Sequence, residues 1–481
     1  MRKVLSLALF VALLTTSCNK AEDDTGTVVP PNTSVDLTQP IITRTTSTTA
    51  FAEPATTIIS GDIKTNTVLK TGRTYQLRGF VYVTDGATLR IEPGVTITGD
   101  NTTRSTLIIT RNGKIDAQGT ATQPIVFTSS KTTGANIGDW GGLVILGNST
   151  NNGAFNGTNG LMEIEGGVND VRGYGLHGGN QTADNSGTLK YVRIEFPGIA
   201  FQPDNEINGL TLGSVGSGTT LEYIQVAYSG DDSFEWFGGT VNAKYLIAYR
   251  GTDDDFDTDF GFSGRIQFGI AIRDTAIADF ATGGASNSFE SDNDAGGSTR
   301  TPQTSPVFSN MTLIGPWANA SATAGVAAPF QRGAHIRRNS ALSVFNSAII
   351  GWRNGMRLDG DLTVANAVGG SLEAKNNVLA GNLTTADQVV TAGGANPSFN
   401  TVNWLNTTGS GNSVQSAMTG LIGSYNYVSF DPRPAAGSPL LTGASFTSSK
   451  LNNTFFTQVA YEGAVGANDT WWQGWTRFFN R

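Results

Sequence analysis

Short apolar runs of strand length, closed by Gly, Asn, Asp or Thr, recur along the chain from about residue 56. Tyr75–Val83, Ala87–Ile97, Thr106–Ile115, Pro124–Phe127 and Leu143–Leu146 are examples, and none keeps apolar residues at helical spacing. Asp85-Gly86-Ala87 and Arg111-Asn112-Gly113-Lys114 supply turn chemistry between such runs. Further on, the runs repeat. Tyr223-Ile-Gln-Val-Ala-Tyr-Ser-Gly-Asp-Asp-Ser-Phe-Glu235 aligns with Tyr245-Leu-Ile-Ala-Tyr-Arg-Gly-Thr-Asp-Asp-Asp-Phe-Asp257 at an offset of 22. Tyr191-Val-Arg-Ile-Glu-Phe196 shares the opening, and Ser288-Phe-Glu-Ser-Asp292 repeats the second half. A period near 22 with irregular insertions predicts an all-β chain wound as a right-handed parallel β-helix, whose coils stack strand on equivalent strand. A leucine-rich repeat would show a Leu/Asn ladder, and a propeller blade needs roughly twice the period. About 380 residues then give on the order of 12 to 15 coils and, at about 4.8 Å per rung, a rod of roughly 60 to 70 Å.

Strand alternation places the side chains. With Phe234, Phe256 and Phe289 turned inward as an aromatic stack, their neighbours form three outward columns. Ser233, Asp255 and Ser288 make the first; Glu235, Asp257 and Glu290 the second; Phe237, Asp259 and Asp292 the third. Charge sharpens this picture. The whole chain carries 39 acidic and 31 basic residues, yet the stretch 231–294 alone holds 13 acidic and 4 basic, a local charge of −9. Two carboxylates one rung apart repel by about 1 kcal/mol in water and about 3–4 kcal/mol at an effective dielectric of 20. Such a column calls for cations, arginines or raised pKa values. An all-oxygen donor set favours Ca²⁺ or Mg²⁺, and Ca²⁺ is the expected ion, with Asp231, Asp232, Glu235, Asp255, Asp257, Asp259, Glu290 and Asp292 as candidate ligands.

Composition excludes other classes. One Cys makes no internal disulfide, and one Cys with two His cannot close a four-ligand Cys/His zinc site. An acidic chain without a basic block is a poor partner for nucleic acid. About 12% Gly with few charged residues argues against a helical protein.

Gly138-Asp-Trp-Gly-Gly-Leu-Val-Ile-Leu-Gly147, Asn205-Glu-Ile-Asn-Gly-Leu-Thr-Leu212, Gly230-Asp-Asp-Ser-Phe-Glu-Trp-Phe-Gly-Gly239 and Asp253-Asp-Asp-Phe-Asp-Thr-Asp-Phe-Gly-Phe-Ser-Gly264 resemble a family of bacterial surface lipoproteins. The resemblance covers most of 56–481 and implies a pectin-lyase-like β-helix. It implies little about activity, because that fold hosts lyases, glycosidases, adhesins and inert stalks alike. Asp231-Asp232 and Asp257-Thr258-Asp259 superficially resemble the two Asp motifs of polygalacturonases, in reversed order and without a following Gly-His-Gly. Polysaccharide lyases of this fold pair Asp-bound Ca²⁺ with a basic residue, a role open to Arg250, Arg265 or Arg273, although neutralising nearby carboxylates is the commoner job of such arginines. Asp232, Asp257, Asp259 and Arg265 are therefore the catalytic candidates.

Tyr191, Tyr223 and Tyr245 share one repeat position and are expected to stack, either as packing or as a sugar-binding platform. His177 and His335 have no nucleophile or second ligand nearby in sequence and read as structural. Tyr461, Trp471, Trp472, Trp475, Phe478 and Phe479 make the end of the chain aromatic, as expected of a cap over an open coil end. At the other end Arg2 and Lys3 precede an apolar run to Leu14, too short to span a bilayer, and then Thr15-Thr16-Ser17-Cys18. This is similar to a lipoprotein signal with Cys18 as the lipidated residue. The acidic stretch 19–24 is similar to signals that direct lipoproteins to the outer face of the outer membrane. Losing Arg2 and Lys3 takes the formal charge from −8 to −10. The expected organisation is a signal over 1–17, a flexible tether over 18–55, a β-helix over 56–440 and a cap over 441–481. Two functions fit: a non-catalytic, outer-membrane-anchored, surface-exposed lipoprotein for glycan binding or adhesion with a Ca²⁺-organised face, or a polysaccharide lyase or glycoside hydrolase. The first is favoured, because no complete catalytic motif is present.

Overall fold

A computed structural model describes residues 44–479 apart from 203–204, 282–283, 320–324 and 428. The signal, Cys18 and most of the tether lie outside the described residues. The chain is nearly all β, and its strands pair in parallel into a sheet wound almost closed on itself. Three flat faces make up each coil. The longest face stacks Ile58–Ile63, Thr74–Val83, Thr96–Gly99, Ile125–Ser129, Gly187–Glu195, Thr220–Ala227, Asn242–Tyr249, Arg265–Ile272, Val307–Ile314, Ala348–Ile350, Val378–Ala380 and Ser413–Gln415. Those 12 rungs reach the lower end of the expected range. At about 4.8 Å each they span roughly 50 Å, shorter than the expected rod. Insertions account for the difference: 147–187 leaves the coil to form two short antiparallel hairpins.

Several long strands bend from one face to the next through a single left-handed residue. Tyr191, Tyr223, Tyr245, Phe268, Asn310, Asn346 and Asn376 occupy this corner with φ between 51° and 65°. Asn tolerates that region, whereas an aromatic residue there is strained and must be held by its surroundings. Stacking supplies the hold: the tyrosine rings lie 4.4 Å apart in both pairs, and Phe268 follows Tyr245 at 5.2 Å. The interior is filled by Leu, Ile, Val and Phe from alternate positions of all three faces. Phe234, Phe256 and Phe289 point inward as expected, fully buried, with neighbouring rings 5.5 and 5.8 Å apart.

Two stretches at the edges of the described residues are placed differently from the expected tether and cap. Arg44, placed in the tether by composition, buries its guanidinium against Asp184 with bonds of 3.0 and 2.8 Å. Ser47 and Ala52 then hydrogen-bond across successive coil corners, and Ala52 pairs with Thr67. The segment looks like a linker because its Ser and Thr form side-chain and backbone hydrogen bonds rather than an apolar pattern.

The aromatic terminus lies along the flank of the helix instead of across its end. Trp475 meets Tyr191 and Tyr223 edge-on at 5.9 and 6.2 Å, Trp471 meets Tyr245, and Phe478 meets Tyr249. The side chains of Gln225 and Gln267 receive its backbone, so the strap is tied as well as packed. At the last coils Phe399, Val402 and Trp404, in and beside the short helix Thr401–Leu405, pack against the core. Among the described residues no helix is long and apolar enough to cross a membrane.

Candidate functional site

One outward column runs the length of the face built from Thr106–Ile109, Leu143–Leu146, Leu210–Gly213, Phe234–Phe237, Phe256–Asp259, Phe289–Ser291, Ala334–Ile336, Asn354–Asp359 and Thr384–Val389. Register pairs Ile108 with Val144, Val144 with Thr211, Thr211 with Glu235, Glu235 with Asp257, Asp257 with Glu290, Glu290 with His335, His335 with Arg357 and Arg357 with Asp387. Its chemistry changes in blocks: apolar, then a hydroxyl, then three carboxylates, then His, Arg and Asp. The apolar block is covered by Ile164 and Val168 from the 147–187 insertion. The carboxylate block is the column expected from the 22-residue offset.

The turn before this face adds further acids. Its conformation is set by a ladder of Asn and Asp, each accepting a backbone N–H from the following coil. Asn208 Oδ1 accepts from Asp232 (3.2 Å), Asp232 Oδ1 from Asp254 (2.8 Å), Asp254 Oδ1 from Asn287 (2.5 Å) and Asn287 Oδ1 from Arg332 (3.2 Å). Next to the ladder, Gly230 packs so closely on Gly198 that a Cβ would come within 2.3 Å of the Gly198 carbonyl oxygen. Such contact lets these two successive turns stack tightly.

Among the described residues three groups of carboxylates result: Asp231, Asp232 and Asp253; Asp232, Glu235 and Asp257; and Asp254, Asp257 and Glu290. Within each, one oxygen per residue lies within 4.8 Å of the others. Every member is buried or nearly so. Buried carboxylates this close could hold a metal ion, and an oxygen-only donor set matches a hard cation. Five of the eight expected ligands fall in these groups: Asp231, Asp232, Glu235, Asp257 and Glu290. Asp253 and Asp254, acids of the same repeat, complete them.

Asp255, Asp259 and Asp292 lie outside the groups. Asp255 and Arg273 form a fully buried pair at 3.1 Å, and Arg273 also donates to the carbonyls of Gly251 and Asn287. Burial pushes the Asp255 carboxyl up to about 6 against the pull of Arg273. Asp292 is held by Arg337 and Arg338, each at 2.8 Å, and Asp259 accepts the Phe260 N–H. Arg273 does at Asp255 the neutralising job expected of it, whereas Arg337 and Arg338 were not legible as partners of Asp292 because they reach back from a later coil across an insertion.

The arginines proposed for proton abstraction are placed elsewhere. Arg250 pairs with Asp274, and Arg273 with Asp255. Arg265 opens a strand of a different face, in register with Val307. Arg337 joins the acidic face instead: it pairs with both Glu290 and Asp292, and although burial opposes its charge, these carboxylates and Asp257 raise its pKa above the ordinary range. His335, read from sequence as structural, lies in the column with Nδ1 3.4 Å from Glu290 and Nε2 3.3 Å from Asp359. His177 is fully buried on Ser214 (2.8 Å), and burial takes its pKa down to about 3.

Tyr191, Tyr223 and Tyr245 do stack. Their ring faces are spent on one another at 4.4 Å and their edges meet Trp475 and Trp471, so the geometry is that of packing rather than of an open sugar platform.

A family described as a pectate-lyase like β-helix domain matches residues 61–476. No curated protein matches the chain.

Proposed function

This chain belongs to the pectate-lyase like β-helix family, and from that premise we propose that it is a non-catalytic surface protein that binds polysaccharide through an acidic face organised by Ca²⁺. The fold fits a polysaccharide-related role at a coarse level. The observation that carries the finer reading is the set of three overlapping carboxylate groups, buried and within 4.8 Å. A bound divalent cation offsets their repulsion and leaves coordination positions for the oxygens of a glycan, since Ca²⁺ takes roughly 6–8 oxygen ligands. The lipid anchor at Cys18 and the outer-membrane, surface-exposed location belong to the same proposal and rest on the sequence of 1–24.

Binding of the full chain to immobilised acidic and neutral polysaccharides, with Ca²⁺ and with chelator, tests the proposal. Retention of at least one polysaccharide that is lost with chelator is the expected result. Retention that ignores chelator would contradict the role of the ion. Unsaturated sugars or new reducing ends after the same incubation would show a lyase or hydrolase instead. For the anchor, Cys18→Ser is expected to abolish incorporation of a labelled fatty acid and to release the protein from the membrane fraction; unchanged labelling would refute it.

A further inference from the structure

Gly213 leaves a gap in the outward row that register forms from Leu146, Gly213 and Phe237. His177, on the insertion strand Leu176–Gly178, fills it. A Cβ on Gly213 would come within 2.7 Å of the imidazole Cγ, and the Phe237 ring lies 6.5 Å away, centre to centre. The imidazole is fully buried, with the Ser214 hydroxyl 2.8 Å from Nδ1. Ser214 Oγ already accepts from Asn151 Nδ2 (2.9 Å), so its own proton goes to Nδ1 and the neutral ring carries its proton on Nε2. Nε2 has no partner among the described residues. A neutral ring fits this seat and a charged one does not, because a proton on Nδ1 would remove the acceptor that the Ser214 hydroxyl uses and bury a charge without a counter-ion. The charged groups on the surrounding elements do not help. Arg111, which reaches the Gly178 carbonyl at 3.3 Å, is a like charge. Asp184 is taken by Arg44 and Asn148. Glu163 adjoins Met162, the residue paired with His177, so alternation turns it to the other side of the hairpin. On the coils beneath, Glu235 accepts from Asn208 and Asp259 from the Phe260 N–H.

More than one ring depends on this seat. The same insertion lays Ile164 and Val168 over Ile108, Val144 and Leu146, and it brings Glu165 to Asn208, whose Nδ2 also donates to Glu235. We propose that the insertion 147–187 is an acid-released cover: a neutral His177 seats it on the coils, and protonation of that ring lifts it from the apolar block of the column. The direction follows from burial. In the seat the ring takes a proton only at about 3, whereas an exposed ring does so near 6.5. The seat is therefore fully stable above 6.5 and weakens as pH falls toward 3. Near pH 4.5 the open population is expected to be about 100 times that at neutral pH, tenfold for each pH unit below 6.5. The cover stands apart from the Ca²⁺ reading, since none of the groups that seat His177 is a proposed ligand.

Hydrogen exchange of the full chain, read by mass spectrometry near pH 7.5 and near pH 4.5 and corrected for the intrinsic rate, tests this. Peptides from 154–178 are expected to lose protection about 100-fold in acid, while the coil strands Thr220–Ala227 and Asn242–Tyr249 keep theirs. His177→Gln, which carries no charge at either pH, is expected to remove the difference. Unchanged protection of 154–178 in the parent would overturn the proposal. So would a glutamine variant that opens in acid as the parent does, since carboxylates would then drive the release. Should glutamine leave the insertion open near pH 7.5, NMR of the two histidine rings in the parent decides, with His335→Gln identifying the His177 signal. A His177 ring that stays neutral until the insertion opens supports the proposal, and one that charges near 6.5 with the insertion still protected overturns it.

Discussion

Asp257 belongs to two of the three carboxylate groups, and its neighbours in register are Glu235 and Glu290. Two such charges one rung apart repel by about 3–4 kcal/mol at an effective dielectric of 20, which Arg337 on Glu290 and Asn208 on Glu235 offset in part. Removing one charge therefore has opposite effects with and without the ion. Asp257→Asn is expected to melt no lower than the parent in chelator and clearly lower in saturating Ca²⁺, so that the order of the two melting temperatures reverses. A variant that melts lower under both conditions would mean that Asp257 is held by its protein partners alone. Asp255 differs although it sits only two residues away. It is neutralised by Arg273 inside the turn, and breaking a buried pair of this kind costs about 3–5 kcal/mol whatever ion is present. Sequence periodicity could place Asp255 and Asp257 in columns but could not tell them apart. Their difference lies in Arg273, whose reach into the turn depends on coil geometry. Asn208, which donates to Glu235, went unremarked for a related reason: its coil precedes the clear 22-residue repeat, and only register aligns that coil with Glu235.

Among the elements, the strands and their columns were legible because alternation and a fixed offset are local signals; the strap and the docked stretch 44–52 were not. Both are bound by side chains that hydrogen-bond to a distant backbone, a pattern without a period. The strap makes its own predictions. Trp475 is fully buried between the tyrosine corner and the chain end, and Trp475→Ala is expected to lower stability by about 3–5 kcal/mol in a denaturant melt; a loss below about 1 kcal/mol would mean that the strap is not integral. Glu462, also on the strap, is buried, and burial pushes its carboxyl up to about 8. The folded state thus holds this proton more tightly than the unfolded chain does. Its contribution to stability is fully present below the ordinary carboxyl range near 4.5 and is lost as pH rises toward 8. Glu462→Gln, which stays neutral, is expected to melt above the parent at pH 8 and to converge with it near pH 4.5. A gap that does not change with pH would refute the buried neutral carboxyl.

For the whole molecule, a formal charge of −8 conceals a division of labour along one rod. The first coils carry a covered apolar face, the middle coils concentrate the acid, and the later ones bring His335, Arg337, Arg338 and Arg357 up to its edge. Asp232 and Asp254 hold the turns by accepting backbone N–H groups, and the proposed cation would join them to Glu235, Asp257 and Glu290. The central claim is that a divalent cation completes this region, and a ligand that binds only the folded state must raise its stability, by about 2.7 kcal/mol at 100 times its Kd. A thermal melt of the full chain in chelator and across a Ca²⁺ series is the most direct measurement. A melting temperature that climbs with Ca²⁺ concentration is predicted, and superimposable melts in chelator and in millimolar Ca²⁺ would contradict it.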